Sequence, residues 1–347
     1  MRVLVTGGAG YIGSHVARRL GARGDEVAVF DDLSTGSRAA VPGLEVIVGS
    51  ITDRRALAEA IASTRPEAIV HLAALKSVEE SLAEPERYFQ INVSGTLAIL
   101  GGTSDAGVPI VIYSSSCAVY GSPERTPVDE TAATNPENPY GESKLLAERL
   151  LPWFEHRHGL RFAALRYFNA AGADASGDYG EDWRQAANLI PRALKAALGF
   201  APPVQIFGSD YPTPDGTAVR DYIHVDDLAE AHLAAIDRLG DGAPSLTVNV
   251  GTGRGASVRE VLDAIGRVSS EPVPAVSAAR REGDPAMVWA DPSAAQRLLG
   301  WTARYGLEET VESAWNWHRR HPDGYGGQAG QLATDEHPAA SVAGGGS

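Results

Sequence analysis

Residues Arg2–His15 read R-V-L-V-T-G-G-A-G-Y-I-G-S-H. An apolar run at Val3–Val5 meets glycines at 7, 8, 10 and 13, and Val16, Ala17 and Leu20 then recur at helical spacing. This pattern predicts a strand, a tight turn and a helix. Gly8, Gly10 and Gly13 satisfy G-x-G-x-x-G, and Gly7, Gly10 and Gly13 satisfy the looser G-x-x-G-x-x-G. One glycine permits a positive φ at the turn. Another lets the backbone approach a pyrophosphate, and a third lets the helix lie close on the strand, its N-terminal N–H groups facing the phosphates. By itself a glycine-rich turn means only a tight turn. Here a second apolar strand, Val27–Phe30, runs into Asp31-Asp32, and an acid about 20 residues beyond such a turn suits a ribose 2′-hydroxyl. The stretch therefore predicts dinucleotide binding.

The chain has 347 residues, 44% hydrophobic and 21% charged, which is room for one large or two modest domains with a real core. A net charge of −14 argues against a nucleic-acid partner, since that needs a basic face. An anionic ligand would have to be met by a few local arginines. A single cysteine, Cys117, excludes an internal disulfide and thiolate clusters. No apolar run approaches the roughly 18 residues of a membrane span. The N-terminus enters a strand directly, which argues against a signal peptide, so a cytoplasmic protein is expected.

Through the first half apolar runs alternate with helical patterns. Strands are expected at 3–6, 26–31, 44–48, 68–72, 110–114 and 162–167, and helices at 13–22, 54–63, 88–106 and 140–158. This alternation predicts an α/β, Rossmann-type doubly wound parallel sheet with right-handed crossovers. Ligands then sit beyond the carboxyl ends of the strands. After about residue 170 glycine, proline and aspartate rise, which suggests a smaller α/β substrate-binding domain. The chain is expected to return to the sheet with a helix at 225–239 and a strand at 247–250. It would leave again for helices at 257–268, 293–299 and 307–319. The division is thus 1–170 plus about 225–251, and 171–224 plus about 252–320, with 327–347 a disordered tail.

Tyr140 and Lys144, in N-P-Y-G-E-S-K, lie four apart and share a helical face. An ammonium near a phenol favours the phenolate and brings a group with a reference pKa of about 10 toward use as a base. Ser114-Ser115-Ser116 closes a strand, where one hydroxyl would aim into the cleft. Cys117 reads as a small buried residue. The nine histidines show no ligand spacing; His224 and His232 read as surface or packing residues, and no metal site is expected. Trp301, Tyr305, Trp315 and Trp317 read as core and helix packing.

Several segments together resemble the UDP-glucose 4-epimerase family of the extended short-chain dehydrogenase/reductase superfamily. They are T-G-G-A-G-Y-I-G-S-H, D-D-L-S-T-G, A-A-L-K-S-V-E-E-S, S-S-S-C-A-V-Y-G, Y-G-E-S-K, L-R-Y-F-N, F-G-S-D-Y-P-T-P-D-G-T-A-V-R-D-Y-I-H-V and R-R-E-G-D-P. The likeness runs from Met1 to about Arg320. It implies a tightly held NAD and a redox-neutral reaction through a 4-keto sugar. It assigns Tyr140 the role of base, Ser116 a hydrogen bond to O4, and Lys144 the lowering of the Tyr140 pKa and a hold on the nicotinamide ribose. It implies NAD contacts at Gly7, Gly10, Tyr11, Ile12, Gly13, Asp31, Asp32, Leu33, Ser34, Thr35, Gly36, Ser50, Ile51, Leu72, Ala73, Ala74, Lys76, Asn92, Ser114, Tyr140, Lys144 and Phe168. Asp31 would repel a 2′-phosphate and so favour NAD over NADP. The UDP-sugar would meet Lys76, Ser116, Tyr140, Asn169, Asn188, Leu189, Gln205, Phe207, Arg220, Tyr222, Arg281, Asp284 and Val288. Arg220 and Arg281 suit a diphosphate, which guanidinium forks match well.

Two positions depart from the family pattern. Ser50 stands where an adenine-binding Asp is usual. Val288 stands where some members carry a bulky tyrosine, which implies acceptance of N-acetylated UDP-hexosamines. Family members are commonly homodimers through two helices, here 88–106 and 140–158. The rivals are a uronate or pentose 4-epimerase, a dehydratase or decarboxylase, and a non-catalytic NAD-binding sensor. Dehydratases carry an Asp-Glu pair where this chain has Cys117-Ala118, and a sensor would be expected to lose Tyr140 or Lys144.

Overall fold

A computed structural model describes residues 1–326 apart from 183, 185, 187, 282 and 283; the tail expected at 327–347 lies outside the described residues. The first half runs β1 (Arg2–Thr6), α1 (Tyr11–Arg23), β2 (Glu26–Asp31), β3 (Glu45–Val48), α2 (Arg54–Thr64), β4 (Ala68–His71), α3 (Val78–Ala83), α4 (Pro85–Tyr88), α5 (Gly95–Asp105), β5 (Ile110–Ser116), α6 (Pro139–His158) and β6 (Arg161–Tyr167). Then come β7 (Asn169–Ala171), α7 (Leu189–Ala197), β8 (Val204–Phe207), β9 (Val219–His224), α8 (Val225–Gly240), β10 (Leu246–Val250), β11 (Gly255–Ser257), α9 (Val258–Ser269), β12 (Ala275–Ala278), β13 (Met287–Val288), α10 (Ser293–Leu299) and α11 (Leu307–Arg320).

Seven strands form one sheet in the order β10-β6-β5-β4-β1-β2-β3, every pairing parallel. The α/β reading holds, and so does the late return of the chain, since β10 pairs with β6. Alternate residues serve opposite faces, as strand geometry demands. Val3 and Val5 enter a core with residues of α1 and α8, while Leu4 enters another with residues of α2, α5 and α6. Winding reverses between β1 and β4, so their carboxyl ends border a crevice.

A second sheet, β11-β9-β13 with β7 on β9, and a β12-β8 pair make up the smaller region. Its core draws on α7, α9 and α11 through Leu194, Ile265 and Val311. One expectation changes here. Helix α10, placed by sequence in the smaller region, carries Ala294 and Ala295 into the sheet-side core with Trp301. The expected helix at 88–106 is also refined: it starts at Pro85 and passes through a π-helical turn at Phe89–Ser94 before α5. Strand β5 extends two residues past its expected end, so Ser116 is still extended, with φ −151° and ψ 149°.

Buried histidines give the fold a pH dependence. Burial holds His71 and His318 down at about 3, and His224 and His232 at about 4. Unfolding returns each to about 6.5. Below pH 6.5 the unfolded chain therefore binds protons that the folded chain refuses. Stability is full above that value and falls on acidification, by up to about 1.4 kcal/mol per pH unit for each histidine. The carboxyls of Asp31 and Asp221, raised by burial, oppose this loss at the acid end. The expected outcome is a melting temperature that drops steadily between pH 6.5 and 4.5 in calorimetric scans; a flat profile would contradict it.

Candidate active site

The glycine turn is built by exclusion of side chains. Gly7 has φ +72°, and a Cβ there would lie 2.5 Å from the Ala73 nitrogen, in the turn after β4. A Cβ on Gly13 would lie 2.1 Å from the Gly7 carbonyl oxygen. At Gly8 it would meet Val29 at 2.8 Å, and at Gly36 it would meet Ala9 at 2.8 Å. Helix α1 starts at Tyr11 on Gly10, with no side-chain cap and no acid in its first turn. Its first N–H groups thus face the crevice with nothing of their own to satisfy them, which is what a pyrophosphate needs. Asp31, at the end of β2, accepts from Ala9 N at 2.9 Å and Leu33 N at 2.8 Å. It locks the glycine turn to the 33–36 loop, where Leu33 has φ 59°. A dinucleotide fits this cradle.

Other predicted cofactor residues have structural partners of their own. Exposed Asp32 accepts from Ser34 N and Oγ at 2.9 and 2.6 Å, and Thr35 is exposed beside them. Ser50 Oγ pairs with Thr52 Oγ1 at 2.9 Å and accepts from Thr52 N at 3.3 Å, while Ile51 is buried. Asn92 accepts from Leu75 N at 2.8 Å and donates to Leu75 O at 3.0 Å and Ser143 Oγ at 2.9 Å. Its side chain holds the loop carrying Leu72, Ala73, Ala74 and Lys76. Lys76 itself pairs with Glu181 at 3.3 Å.

The catalytic candidates converge where β5 ends. Asn138 caps α6 by accepting from Gly141 N at 2.9 Å, and Pro139 occupies the first helical position. Tyr140 and Lys144 follow one turn apart. Lys144 donates to the Ser114 carbonyl oxygen at 2.8 Å, and its Nζ stands 5.3 Å from the centre of the Tyr113 ring. Ser114 Oγ pairs with the Tyr167 hydroxyl. Ser116 Oγ accepts from Ala118 N at 3.2 Å. Burial pushes the Tyr140 phenol up to about 12, and a hydrogen bond with Ser116 pulls the other way. Burial also brings the Lys144 ammonium down to about 7, with Glu148 opposing. The expectation that Lys144 lowers the Tyr140 pKa is set against burial, which is the largest cause of the shift at both groups.

Sequence reading missed the layer beneath. Glu148, a further turn along α6, receives Arg166 at 2.9 and 2.6 Å and the Ser115 hydroxyl. Arg166 also donates to Tyr120 at 3.0 Å, and Tyr120 donates to Asn249 at 2.7 Å. His71 bridges Thr6 at 2.8 Å and Thr96 at 3.0 Å, and the Lys144 charge helps keep it neutral. The i+4 repeat Tyr140–Lys144–Glu148 was the one available signal.

The sugar-nucleotide candidates lie mainly along two strand groups. Asn169 on β7 is in register with Tyr222 on β9, and Arg220 on β9 is in register with Val288 on β13. Arg220 pairs with Asp284. Gln205 and Phe207 lie on β8, and exposed Arg281 stacks on the Phe207 ring at 3.9 Å. Exposed Asn188 precedes Leu189 at the start of α7, which has no side-chain cap. Val288, Phe168 and Cys117 share an apolar cluster with Leu145 of α6, which joins the two regions. Of the surface and packing readings of His224 and His232, burial of both selects packing. Among the described residues no group of three or more His, Cys, Asp or Glu is placed to hold a metal ion, and no helix is long and apolar enough to cross a membrane.

Known proteins are similar to this chain in sequence and fold. The NAD dependent epimerase/dehydratase family model matches residues 3–251. The UDP-glucose 4-epimerase of Lacticaseibacillus casei is 42% identical over 328 residues, spanning 94% of this chain and 99% of that protein. The chain belongs to the UDP-glucose 4-epimerase family. Family members solved by crystallography superimpose closely. The Brucella ovis enzyme in complex with NAD gives a TM-score of 0.88 at 46% identity, covering 90% of this chain and 97% of that one. The Bifidobacterium longum enzyme in complex with NAD+ and UDP gives 0.89 at 38% identity, covering 93% and 99%.

Substituting Gly13 by alanine tests the cradle. A methyl group 2.1 Å from the Gly7 carbonyl must push α1 off β1. Gly13→Ala is expected to lower NAD binding at least tenfold and to reduce the melting temperature, read by nucleotide titration and calorimetry. Unchanged NAD affinity would show that this contact is not part of the cradle.

Proposed function

We propose that this protein catalyses NAD-dependent epimerisation at C4 of a UDP-hexose, interconverting UDP-glucose and UDP-galactose through a transient 4-keto sugar. The observation that carries the reading is the meeting of Ser116, Tyr140 and Lys144 at the carboxyl end of β5, in the same sheet whose glycine turn forms a dinucleotide cradle. Bound NAD supplies an acceptor for two electrons that are returned to the same carbon. The chain's own groups manage the proton and the pose. Tyr140 takes the proton from the 4-hydroxyl and gives it back. Ser116, hydrogen-bonded to Tyr140, holds O4. Lys144, one turn along α6, favours the phenolate through the positive charge of its ammonium. Arg220 and Arg281 hold the diphosphate, and Asn188 and Gln205 hold the uridine.

The division of labour follows the two regions. Residues 1–170 with 225–251 hold NAD, and residues 171–224 with 252–320 hold the UDP-sugar, apart from α10 on the sheet side. Val288, in the apolar cluster with Phe168, is smaller than the tyrosine of some members, which supports acceptance of an N-acetyl group. Chemistry of this kind belongs to galactose metabolism, in a cytoplasmic setting. The homodimer is part of the same reading. Trp153 on α6 is 72% exposed and Leu97 on the adjacent α5 is 37% exposed, an apolar pair suited to a second copy.

Incubation with UDP-galactose, UDP-glucose and UDP-GlcNAc, without added NAD, is expected to give the C4 epimer of each. Tyr140→Phe should lose about 10²–10⁴-fold in turnover while keeping its NAD. Full activity in that variant would refute the role of Tyr140, and failure on UDP-GlcNAc alone would refute the reading of Val288. Light scattering should report twice the chain mass, reduced to the monomer by Trp153→Glu; a wild-type monomer would overturn the dimer.

A further inference from the structure

One segment, 172–181, is bonded to both walls of the cofactor crevice. On the β1 side the hydroxyl of Tyr11, first residue of α1, donates to the Gly172 carbonyl oxygen at 2.7 Å. On the β4 side Lys76 Nζ donates to Glu181 Oε1 at 3.3 Å. These walls meet at the bottom, where Gly7 approaches Ala73 too closely for a side chain. They are the two strand ends between which the sheet reverses its winding.

The segment is stiff. Ala173 and Gly180 pair across a short antiparallel bridge, and Asp174 N donates to Tyr179 O at 3.1 Å. The C-terminal part of the chain braces it from behind. Trp317 donates to the Glu181 carbonyl oxygen at 2.8 Å, the Gly180 N–H donates to the Tyr325 hydroxyl at 3.1 Å, and Arg320 donates to Ser176 O at 3.0 Å. The Glu181 backbone is therefore fixed, and its side chain, 7% exposed, reaches forward to a lysine that is 58% exposed. A buried carboxylate is costly unless paired. One facing a phosphate-binding turn is doubly so, because it repels the ligand. Its proximity to that turn is felt by Tyr11, whose hydroxyl is raised first by burial and next by Glu181.

We propose that Glu181 is a cofactor-retaining positioning residue: through Lys76 it closes segment 172–181 across the crevice, so that NAD leaves only when this bridge opens. The inference rests on the functional reading above, which places the dinucleotide in this crevice. Retention has a chemical purpose there. Electrons taken from the sugar must go back to the same sugar, and a reduced cofactor that escapes midway strands a keto sugar.

The test follows loss of nucleotide from NAD-loaded protein into a large excess of buffer, read by ultraviolet absorbance and mass spectrometry of what stays bound. Glu181→Gln is expected to release NAD about tenfold faster, a loss of about 1.4 kcal/mol from the barrier to release. Glu181→Asp, which keeps the charge on a shorter arm, replaces it if the glutamine variant does not fold, with faster release again expected. Lys76→Gln also accelerates release. The double variant Lys76→Gln with Glu181→Gln is expected to release no faster than the faster single, the mark of two side chains acting as a pair. Release at the wild-type rate from the Glu181 variant, or fully multiplicative effects in the double, would overturn the bridge. Wild-type protein that binds no NAD at all would instead overturn the functional reading, and the bridge with it.

Discussion

Arg166 and Glu148 meet as a buried, two-pronged ion pair, and the orientation of the helix carrying Tyr140 and Lys144 depends on it. Taking two charges out of water costs several kcal/mol each, and Coulomb attraction offsets this only where geometry is good and the remaining polar atoms are bonded. Both conditions are met. The fork is bidentate, Ser115 donates to the carboxylate, and the guanidinium reaches Tyr120 as well. The pair fastens α6 to β5 and β6, and through Tyr120 and Asn249 to β10. Since Tyr140, Lys144 and Glu148 recur every four residues, fixing the last sets the rotation of the helix. That rotation decides where the phenol points.

An acidic protein must make a hospitable site for two anionic nucleotides from few parts. At α1 it uses geometry in place of formal charge: an uncapped helix start, free of acids, backed by glycines that let it press onto the strand. In the smaller region the arginines proposed for the diphosphate have their charge directed by neighbours. Arg220 is held by Asp284 and by the Val219 carbonyl oxygen, and Arg281 lies flat on Phe207. Such tethering costs some attraction and gains orientation, because a guanidinium already in place would lose little entropy on meeting a phosphate.

Much of the scaffold was legible in local patterns. The β1–α1–β2 unit, the alternation that follows and the late strand at 246–250 were all readable because apolar periodicity and glycine chemistry act over short stretches. The placement of Tyr140, Lys144 and Ser116 was readable because position at a strand end or along one helical turn is itself a local property. What escaped reading depends on partners far apart in sequence. Glu181 meets Lys76 across 105 positions, and Arg166 lay inside a recognisable motif with nothing to say that Glu148 was its partner. Asn92 and Ser50 have partners within the chain as well: Asn92 is engaged with the Leu75 backbone, 17 positions away, and Ser50 with Thr52. Helix α10 joined the sheet-side core because Ala294 and Ala295 are small enough to pack there, a fact of shape that hydropathy does not carry.

The pairing of β10 with β6 has a consequence for biosynthesis. Everything between these strands, including the β7, β8 and β9 elements, must leave the ribosome before Leu246–Val250 can add to the sheet. Until then β6 is an open edge, with Ala163, Ala164 and Leu165 ready to pair and fully apolar. An uncovered strand of this kind invites the wrong partner. The nascent chain therefore spends the synthesis of some 80 residues (at 5–20 residues per second, roughly 4–16 s) with its sheet unfinished. Chaperone demand should be concentrated in that interval.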